Sequence, residues 1–339
     1  MNKLSQITIG ALLALGTVSA AQAGTLDDVK KKGFVQCGVS AGLAGFSAPD
    51  DKGNYSGIDV DICKAVAAAV FGDATKVKFT PLTAKERFTA LQSGEVDLLS
   101  RNTTWTLNRD TAQGLSFTGV TYYGGQGFMV RKSLGVKSAK ELDGASVCTE
   151  TGTTTELNLS DYFKSNGLKY TVVALGSNSE AVAAYDSGRC DAYTTDASGL
   201  YATRIALAKP DDHIVLPEII SKEPLGPVVR QGDSQWFGVV KWSLFALVAA
   251  EEYGVTAANV DESKASSANP EVKRLLGAEG EFGTPMGLPN DWAYQIVKQL
   301  GNYGEVFDRN VGAGSPLKID RGINALWSKG GLQYAPPFR

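Results

Sequence analysis

The feature of this 339-residue chain that most limits its fold is an alternation of β-rich runs with amphipathic helical stretches, which occurs twice. Behind Gly33 the segments read FVQCGVS, IDVDICKAVAAAVF, KVKFTPL, AKERFTALQSG and VDLLS. The pattern restarts at Gly144 with GASVCTE, TTELNLSDYFKSNG, YTVVALG, SNSEAVAAYDSG and CDAYTTD. Strands that alternate with helices build a mostly parallel sheet covered by helices. The sequence therefore predicts an α/β fold with two such units.

Two stretches are candidate connections between the units. LSFTGVTYYGGQGFMVRKS is extended and apolar, and its glycines, Gly124, Gly125 and Gly127, indicate bends. ISKEPLGPVV contains two prolines, which disfavour a helix. Residues 24–339 also exceed what one hydrophobic core usually supports. We therefore predict two lobes joined by two crossovers, with these bounds: 24–125 and 225–339 for lobe 1, and 126–224 for lobe 2.

The first residues carry an export signal. MNKLSQITIGALLALGTVSAAQAGT has Lys3 in a short cationic start, an apolar stretch, and the small residues Ala21 and Ala23 before Gly24. This pattern predicts a secretory signal peptide, residues 1–23, with cleavage after Ala23, because the apolar stretch is too short for a stable membrane span. We expect a soluble, exported mature protein.

Four cysteines lie far apart, with no CxxC spacing. In an exported protein an even number of cysteines indicates disulfides, and four cysteines allow three pairings. We favour Cys37 with Cys63 and Cys148 with Cys190, because each pair falls within one predicted lobe. The alternative is that they are buried free thiols.

Three segments follow predicted strands at the carboxyl edge of a sheet, where open α/β sheets bind ligands. In SRNTTWTLNRDTA we expect Asn102, Thr104 and Arg109 to face the crevice, because a guanidinium binds a carboxylate bidentately and the neutral groups add hydrogen bonds. The alternative is a surface loop in which Arg109 pairs with Asp110. Arg101 is a further candidate contact, although an ion pair is favoured for it.

The other two segments belong to the second unit. TETGTTTELN has capping-box spacing and opens a helix, which makes Thr154 a candidate contact. CDAYTTDASG ends its strand at Asp196, which can accept hydrogen bonds from an ammonium group or simply cap the next helix. A guanidinium in one lobe opposite a carboxylate in the other complements a zwitterion, so the sequence predicts an amino-acid ligand.

Several longer stretches resemble a known family. YSGIDVDICKAVAAAV, GEVDLLSRNTTWTLNRD, VCTETGTTTE and GRCDAYTTD, in this order and together with the signal peptide, are similar to the periplasmic solute-binding proteins of polar amino-acid ABC transporters. The resemblance covers nearly the whole mature chain. The long carboxyl-terminal extension and the SRNTTWT motif look most like the general L-amino-acid-binding branch.

The resemblance implies a two-lobed Venus-flytrap fold of type II with two hinge crossovers. It implies that a monomer without cofactor captures L-amino acids with broad specificity in the periplasm and delivers them to permease subunits in the inner membrane. By the same resemblance, Arg109 holds the α-carboxylate, Thr154 assists through its backbone, Asp196 holds the α-ammonium, and Asn102 and Thr104 complete the contacts.

The first loop, SAGLAGFSAP, departs from the family pattern. Many relatives carry an aromatic residue there that stacks on the ligand side chain, whereas this chain has Leu43 at that place and Phe46 three residues later. Loss of the aromatic platform suits a binder of broad specificity. Both residues are candidate ligand contacts.

Other function classes have little support in the sequence. A formal net charge of −3 argues against nucleic acid as a partner. There is no GxSxG elbow, HExxH, P-loop or CxxC pair, and the single histidine, His213, is predicted at a strand edge. An enzyme of the same fold, of dehydratase type, is the main alternative. Docking of the closed protein to a chemoreceptor is a third.

Overall fold

The computed structural model describes residues 24–339, so the predicted signal peptide, residues 1–23, lies outside the described residues. The strands are β1 Val35–Ser40, β2 Ala48–Pro49, β3 Tyr55–Ser56, β4 Val77–Leu82, β5 Leu98–Leu99, β6 Leu115–Phe117, β7 Tyr122–Gly124, β8 Gln126–Arg131, β9 Ala145–Glu150, β10 Tyr170–Leu175, β11 Ala192–Asp196, β12 His213–Val215, β13 Glu223–Leu225 and β14 Val228–Arg230. The helices are α1 Thr25–Lys32, α2 Ile58–Phe71, α3 Arg87–Ser93, α4 Leu107–Ala112, α5 Thr154–Ser165, α6 Asn178–Asp186, α7 Ala197–Ala206, α8 Ser234–Glu252, α9 Val260–Ser266, α10 Pro270–Leu275, α11 Trp292–Leu300 and α12 Tyr303–Asn310. No helix in this part of the chain is both long enough and apolar enough to cross a bilayer.

The first sheet has the strand order β4-β1-β5-β14-β6. β1 lies parallel to β4 and β5, whereas β14 pairs antiparallel with β5 and β6. Helix α2, which the sequence predicted over the same residues, is apolar and almost fully buried, and it packs against β1, α8 and α11. Burial of this helix supplies much of the core on this side of the molecule.

The second sheet repeats the same plan, with the strand order β10-β9-β11-β8-β12. β9 is parallel to β10 and β11, and β8 pairs antiparallel with β11 and β12. Two smaller cores, built around Phe128, Phe163, Tyr185 and Tyr193, lie on its two faces. The parallel strands come from the two predicted α/β units, and the antiparallel strands β6, β8 and β14 come from the predicted connections.

Two short strands, β7 and β13, link the sheets. The chain leaves the first sheet after β6 and enters the second at β8, and it returns between β12 and β14. β7 and β13 pair antiparallel, with Tyr123 opposite Pro224. A Cβ on Gly125 would lie 2.3 Å from Ile219 Cγ2 and 2.6 Å from the Ser221 carbonyl oxygen, so this close approach requires glycine.

The structure confirms the favoured disulfide pairing. Cys37 in β1 is bonded to Cys63 in α2, and Cys148 in β9 is bonded to Cys190, just before β11. The first disulfide joins the first sheet to its covering helix α2, and the second joins β9 to the residue that leads into β11. Neither links the two sheets, so both are compatible with movement of one sheet relative to the other.

The carboxyl-terminal residues pack beside α2 and α8. The sequence shows helical spacing throughout residues 291–312, but the structure has two helices there. Gly301, with a φ of 75°, ends α11, and Asn302 forms a capping box with Glu305 that starts α12. The local capping signal therefore interrupts the helical periodicity.

Side chains of this segment hold the backbone that leads into β7. Asn324 accepts a hydrogen bond from the Tyr123 N–H (2.7 Å) and donates one to its carbonyl oxygen (3.0 Å). The Tyr303 hydroxyl donates to the Thr121 carbonyl oxygen (2.7 Å). The carbonyl oxygen of Pro224, opposite Tyr123, accepts from the Trp105 N–H (2.8 Å) instead, so Asn324 satisfies both backbone groups of Tyr123 at this edge of β7.

We expect Asn324→Ala to lower the free energy of unfolding by roughly 1–3 kcal/mol, because two partly buried backbone groups of Tyr123 lose their partner. Amide exchange at Tyr123 should become faster. Denaturant titration and hydrogen exchange measure both effects. Asn108→Ala, at an exposed position of α4, is the matched control and should stay within about 0.5 kcal/mol of wild type. Unchanged exchange at Tyr123 would show that Asn324 does not hold this strand.

Candidate functional site

Arg109 lies in the first turn of α4, where the N-cap Thr106 accepts a hydrogen bond from the Arg109 N–H (3.3 Å). Its buried guanidinium donates through Nη1 to the Thr104 carbonyl oxygen (2.9 Å) and lies 5.1 Å from the centre of the Phe88 ring. Within residues 24–339 it forms no salt bridge, and Asp110 is not its partner. Arg109 is therefore a buried cation that no carboxylate of the described chain binds directly.

The loop before α4 is ordered by a buried carboxylate of α2. Asp59 accepts hydrogen bonds from the Asn102 N–H (2.7 Å) and the Ser100 hydroxyl (3.3 Å). Burial raises the pKa of Asp59 to about 6, against these hydrogen bonds and the nearby Arg101. Asn102 has a φ of 32°, in the left-handed region that few residues other than glycine adopt. Asp59 thus fixes the loop that carries the predicted contacts.

Thr104 and Thr154 bring the two sheets together. Thr104 follows this loop, whereas Thr154 is the first residue of α5 beside the second sheet. Their hydroxyl oxygens lie 3.3 Å apart. The predicted cap is present, since the Thr153 side chain accepts a hydrogen bond from the Glu156 N–H (3.1 Å). Two of the predicted site residues are therefore in direct contact across the interface between the sheets.

Asp196 ends β11 and precedes α7, as the sequence predicted. It occupies the N-cap position, but its side chain makes no capping hydrogen bond, so capping does not explain it. The residue is 7% exposed, and its Oδ1 has no hydrogen-bond partner among the described residues. A buried carboxylate oxygen without a donor is costly, which indicates that a donor from outside the chain is needed.

The electrostatics of these groups are coupled. Burial raises the pKa of Asp196 to about 7, and the nearby Glu223 adds to this, whereas Arg87, Arg109 and Asn102 oppose it. Burial lowers the pKa of Arg109 to about 10, against the attraction of Glu223 and Asp196. Each of these two groups therefore shifts the pKa of the other.

Glu223 is a central residue of this site that the sequence reasoning missed. It begins β13 in the second crossover and is almost fully buried. Its Oε2 accepts hydrogen bonds from the hydroxyls of Thr104 (2.5 Å) and Thr154 (2.8 Å). In the sequence, only its acidic side chain within ISKEPLGPVV could have indicated this role. That stretch was predicted to be a connection between the two units.

Arg101 forms an ion pair that spans the two sheets. Its Nη2 lies 3.2 Å from Glu150 Oε1, at the end of β9, and its Nε donates to the Leu82 carbonyl oxygen (2.9 Å). Glu150 Oε1 also accepts a hydrogen bond from the Ala84 N–H (3.0 Å). The ion pair that the sequence favoured for Arg101 is therefore present.

The first loop places its two candidates differently. Phe46 is fully buried and packs edge-on against Tyr122, with ring centroids 5.2 Å apart. Leu43 is mostly buried and lines a groove of about 560 Å³ between the first loop and helices α6 and α7. Both residues belong to the core around α2, but only Leu43 also lines this groove.

His213 opens β12 in the second sheet and hydrogen-bonds with the Tyr185 hydroxyl (2.7 Å). The part of the chain that the structure describes holds no group of three His, Cys, Asp or Glu side chains that could bind a metal ion.

Comparison with known proteins agrees with this architecture. The model of the bacterial extracellular solute-binding proteins, family 3, matches residues 35–258, about two thirds of the chain. This chain belongs to that family. The match includes Arg109, Thr154, Asp196 and Glu223 and ends after α8, so the carboxyl-terminal helices of this solute-binding protein lie beyond it.

Individual relatives are similar over their whole length. The general L-amino-acid-binding periplasmic protein of Rhizobium johnstonii is 66% identical over 340 residues, with 100% of this chain and 99% of that protein covered. The glutamate/glutamine/aspartate/asparagine-binding protein of Rhodobacter capsulatus is 58% identical, with 98% and 97% covered. A periplasmic binding protein from Brucella ovis, solved with glutathione bound, is 63% identical, with a TM-score of 0.92 over 94% of this chain and 100% of that one.

Proposed function

We propose that this solute-binding protein captures L-amino acids with broad specificity in the periplasm and delivers them to an ABC-transporter permease. The observation that supports this proposal is a buried cation and a buried carboxylate, each without a direct partner of opposite charge. Arg109 is a cation without a carboxylate bound to it, and Asp196 has a carboxylate oxygen without a donor, both among the described residues. An α-carboxylate and an α-ammonium group meet these two needs. The relatives named as amino-acid binders support the same ligand class.

Five residues form the proposed zwitterion site, namely Arg109, Asp196, Asn102, Thr104 and Thr154. Each has a distinct role. Arg109 binds the carboxylate, because a guanidinium offers two parallel donors. Asp196 accepts from the ammonium group. Asn102, Thr104 and Thr154 supply neutral hydrogen bonds beside the charges.

Ligand binding would favour a closed arrangement of two lobes. We place lobe 1 at residues 24–125 and 225–339 and lobe 2 at residues 126–224, so that Arg109 and Asp196 belong to different lobes. A ligand that bridges them stabilises the closed state, because it makes both contacts only there. The Arg101–Glu150 ion pair would add to the closed state, since it also joins the two lobes.

A thermal-shift screen tests this function. The mature protein, residues 24–339, is unfolded and refolded to remove carried-over ligand, and then screened against the twenty L-amino acids and several sugars. A ligand at a hundredfold excess over its Kd adds about 2.7 kcal/mol of stability. We expect shifts with many L-amino acids and none with sugars, and mass analysis should return each ligand chemically unchanged. Absence of a shift with every amino acid would contradict the proposal.

A second ligand class is favoured by the groove that Leu43 lines. Alanine side chains form much of its wall, including Ala183 in α6 and Ala202 and Ala206 in α7. The groove lies between the first loop and the helix that follows Asp196. We propose that ligands with a long substituent on the zwitterion extend into it, as the γ-glutamyl peptide glutathione would. The glutathione bound to the Brucella ovis protein motivates this choice.

We expect Ala183→Trp, which fills part of the groove, to weaken glutathione binding at least tenfold while L-alanine binding changes less than twofold. The physical reason is steric exclusion of the substituent alone. Ala258→Trp, at an exposed position outside the groove, is the matched control and should change neither affinity. Calorimetric titrations provide the comparison. An equal effect on both ligands, or no effect on glutathione, would contradict a role for the groove.

A further inference from the structure

Glu223 carries a buried negative charge that only neutral groups bind. It is 1% exposed, and its Oε2 accepts hydrogen bonds from the hydroxyls of Thr104 (2.5 Å) and Thr154 (2.8 Å). Its Oε1 accepts from the Asn158 amide (2.7 Å) and the Ser221 hydroxyl (2.6 Å). Four donors satisfy the carboxylate, yet none carries a positive charge. Its field therefore extends into the surroundings.

The surroundings of Glu223 are the proposed zwitterion site. Thr104 bonds to both charged groups, since its hydroxyl donates to Glu223 and its carbonyl oxygen accepts from Arg109 (2.9 Å). Thr154 links Glu223 to the start of α5. On the other side, Ser221 accepts a hydrogen bond from the N–H of Gln126 (3.2 Å), the residue paired with Asp196 between β8 and β11. Glu223 is thus connected to both ends of the site.

The buried charges around this point do not balance. With Asp196 ionised, as binding of an ammonium group requires, there are three guanidiniums, Arg87, Arg101 and Arg109, and four carboxylates, Asp59, Asp196, Glu223 and the nearly buried Glu150. Glu150 pairs with Arg101, and Asp59 lies at the loop before α4. A neutral zwitterion leaves this excess unchanged, so the charge of the ligand side chain decides whether binding increases or decreases it.

We propose that Glu223 determines specificity by charge, disfavouring ligands that bring a second carboxylate close to it, as a short acidic side chain does, relative to ligands with neutral or cationic side chains. The inference rests on the proposed function, because it assumes that amino acids occupy the site. Its physical basis is a fixed charge in a medium of low dielectric constant. For two charges about 8 Å apart at an effective dielectric constant of about 20, Coulomb's law gives an effect on the order of 30-fold in a binding constant.

Calorimetric titration of Glu223→Gln against three ligands of similar size tests this. L-Glutamine serves as the neutral reference, L-glutamate carries an extra negative charge, and L-lysine carries an extra positive charge. We expect the affinity for L-glutamate relative to L-glutamine to rise at least tenfold in the variant. The affinity for L-lysine relative to L-glutamine should fall at least tenfold. Glu223→Met also removes the charge and has a side chain of similar length. It is made in parallel, so that the test can still be carried out if one of the two variants does not fold.

The ratios separate charge selection from a structural role. Thr154→Val, which removes a donor to Glu223 but no charge, is the control and should weaken all three ligands by a similar factor. If the neutral variants of Glu223 also change all three affinities by one common factor, the inference is wrong. If the wild-type protein binds no amino acid at all, the proposed function fails instead, and the thermal-shift screen shows this independently.

Discussion

Arg109→Ala is expected to abolish measurable binding of amino acids. The ligand carboxylate would then be buried without a cation, and loss of one partner of a buried ion pair costs about 3–5 kcal/mol. This corresponds to a loss in affinity of roughly 150- to 5,000-fold. Calorimetric titration with the amino acid that gives the largest thermal shift measures the effect.

The variant also removes the hydrogen bond to the Thr104 carbonyl oxygen, so its folding is checked by circular dichroism and melting. Arg109→Lys keeps the charge but loses the bidentate geometry, and it should retain part of the affinity. Arg189→Ala, at an exposed position, is the matched control and should bind like wild type. Near wild-type affinity of Arg109→Ala would show that Arg109 does not bind the carboxylate.

Asp196→Asn is expected to have opposite effects on binding and on the stability of the ligand-free protein. Binding should fall by a factor similar to that for Arg109→Ala, because an amide does not compensate a buried ammonium charge. The ligand-free protein should be stabilised by at least about 1 kcal/mol at pH 7.5, because the variant removes a buried carboxylate whose ionised form is disfavoured. Calorimetry and denaturant titration measure the two effects.

The stability effect has a defined dependence on pH. The pKa of Asp196 is raised to about 7 in the folded protein, whereas an unfolded Asp titrates near its ordinary value. The folded state therefore binds the proton more tightly, and the contribution of Asp196 to wild-type stability is lost as pH rises from about 4 to about 7. The stability advantage of Asp196→Asn should grow over this range and then stay constant. An advantage that does not vary with pH would contradict the ionisation of a buried Asp196.

Wild-type binding should depend on pH through the same group. An ammonium ligand requires ionised Asp196, so below pH 7 the protein must release a proton when it binds. Affinity is then expected to decrease by up to about tenfold for each pH unit below 7. Titrations of wild type between pH 5.5 and 8 measure this dependence, and Asp196→Asn should show none of it in the residual binding.

The sequence predicted the elements that carry strong periodic patterns and clear ends. The apolar run from Ile58 to Phe71 became α2 with the predicted bounds, because glycines flank it and its residues favour burial as a helix. Asp196 ends its strand as predicted, and α7 begins at the next residue. Parallel pairing followed from the order of the elements.

The parts that the sequence did not reveal depend on contacts between distant segments. Glu223 joins Thr104 and Thr154, which are 119 and 69 residues away in sequence, and nothing local marks it as more than a loop acid. Asn324 holds Tyr123 across 201 residues. The full burial of Phe46 depends on Tyr122, which belongs to the crossover. Periodicity and spacing describe local structure, so such contacts become visible only once the chain is folded.

The central claim is that Arg109 and Asp196 bind the two charged ends of an amino acid. The most direct test is calorimetric titration of the refolded protein with the best L-amino acid, with its carboxamide, which lacks the carboxylate, and with its N-acetyl derivative, which lacks the ammonium group. We predict binding of the amino acid and a loss of at least a hundredfold for each derivative, since each leaves one buried charge without a partner. Comparable binding of either derivative would contradict the assignment of the residue that binds the missing group.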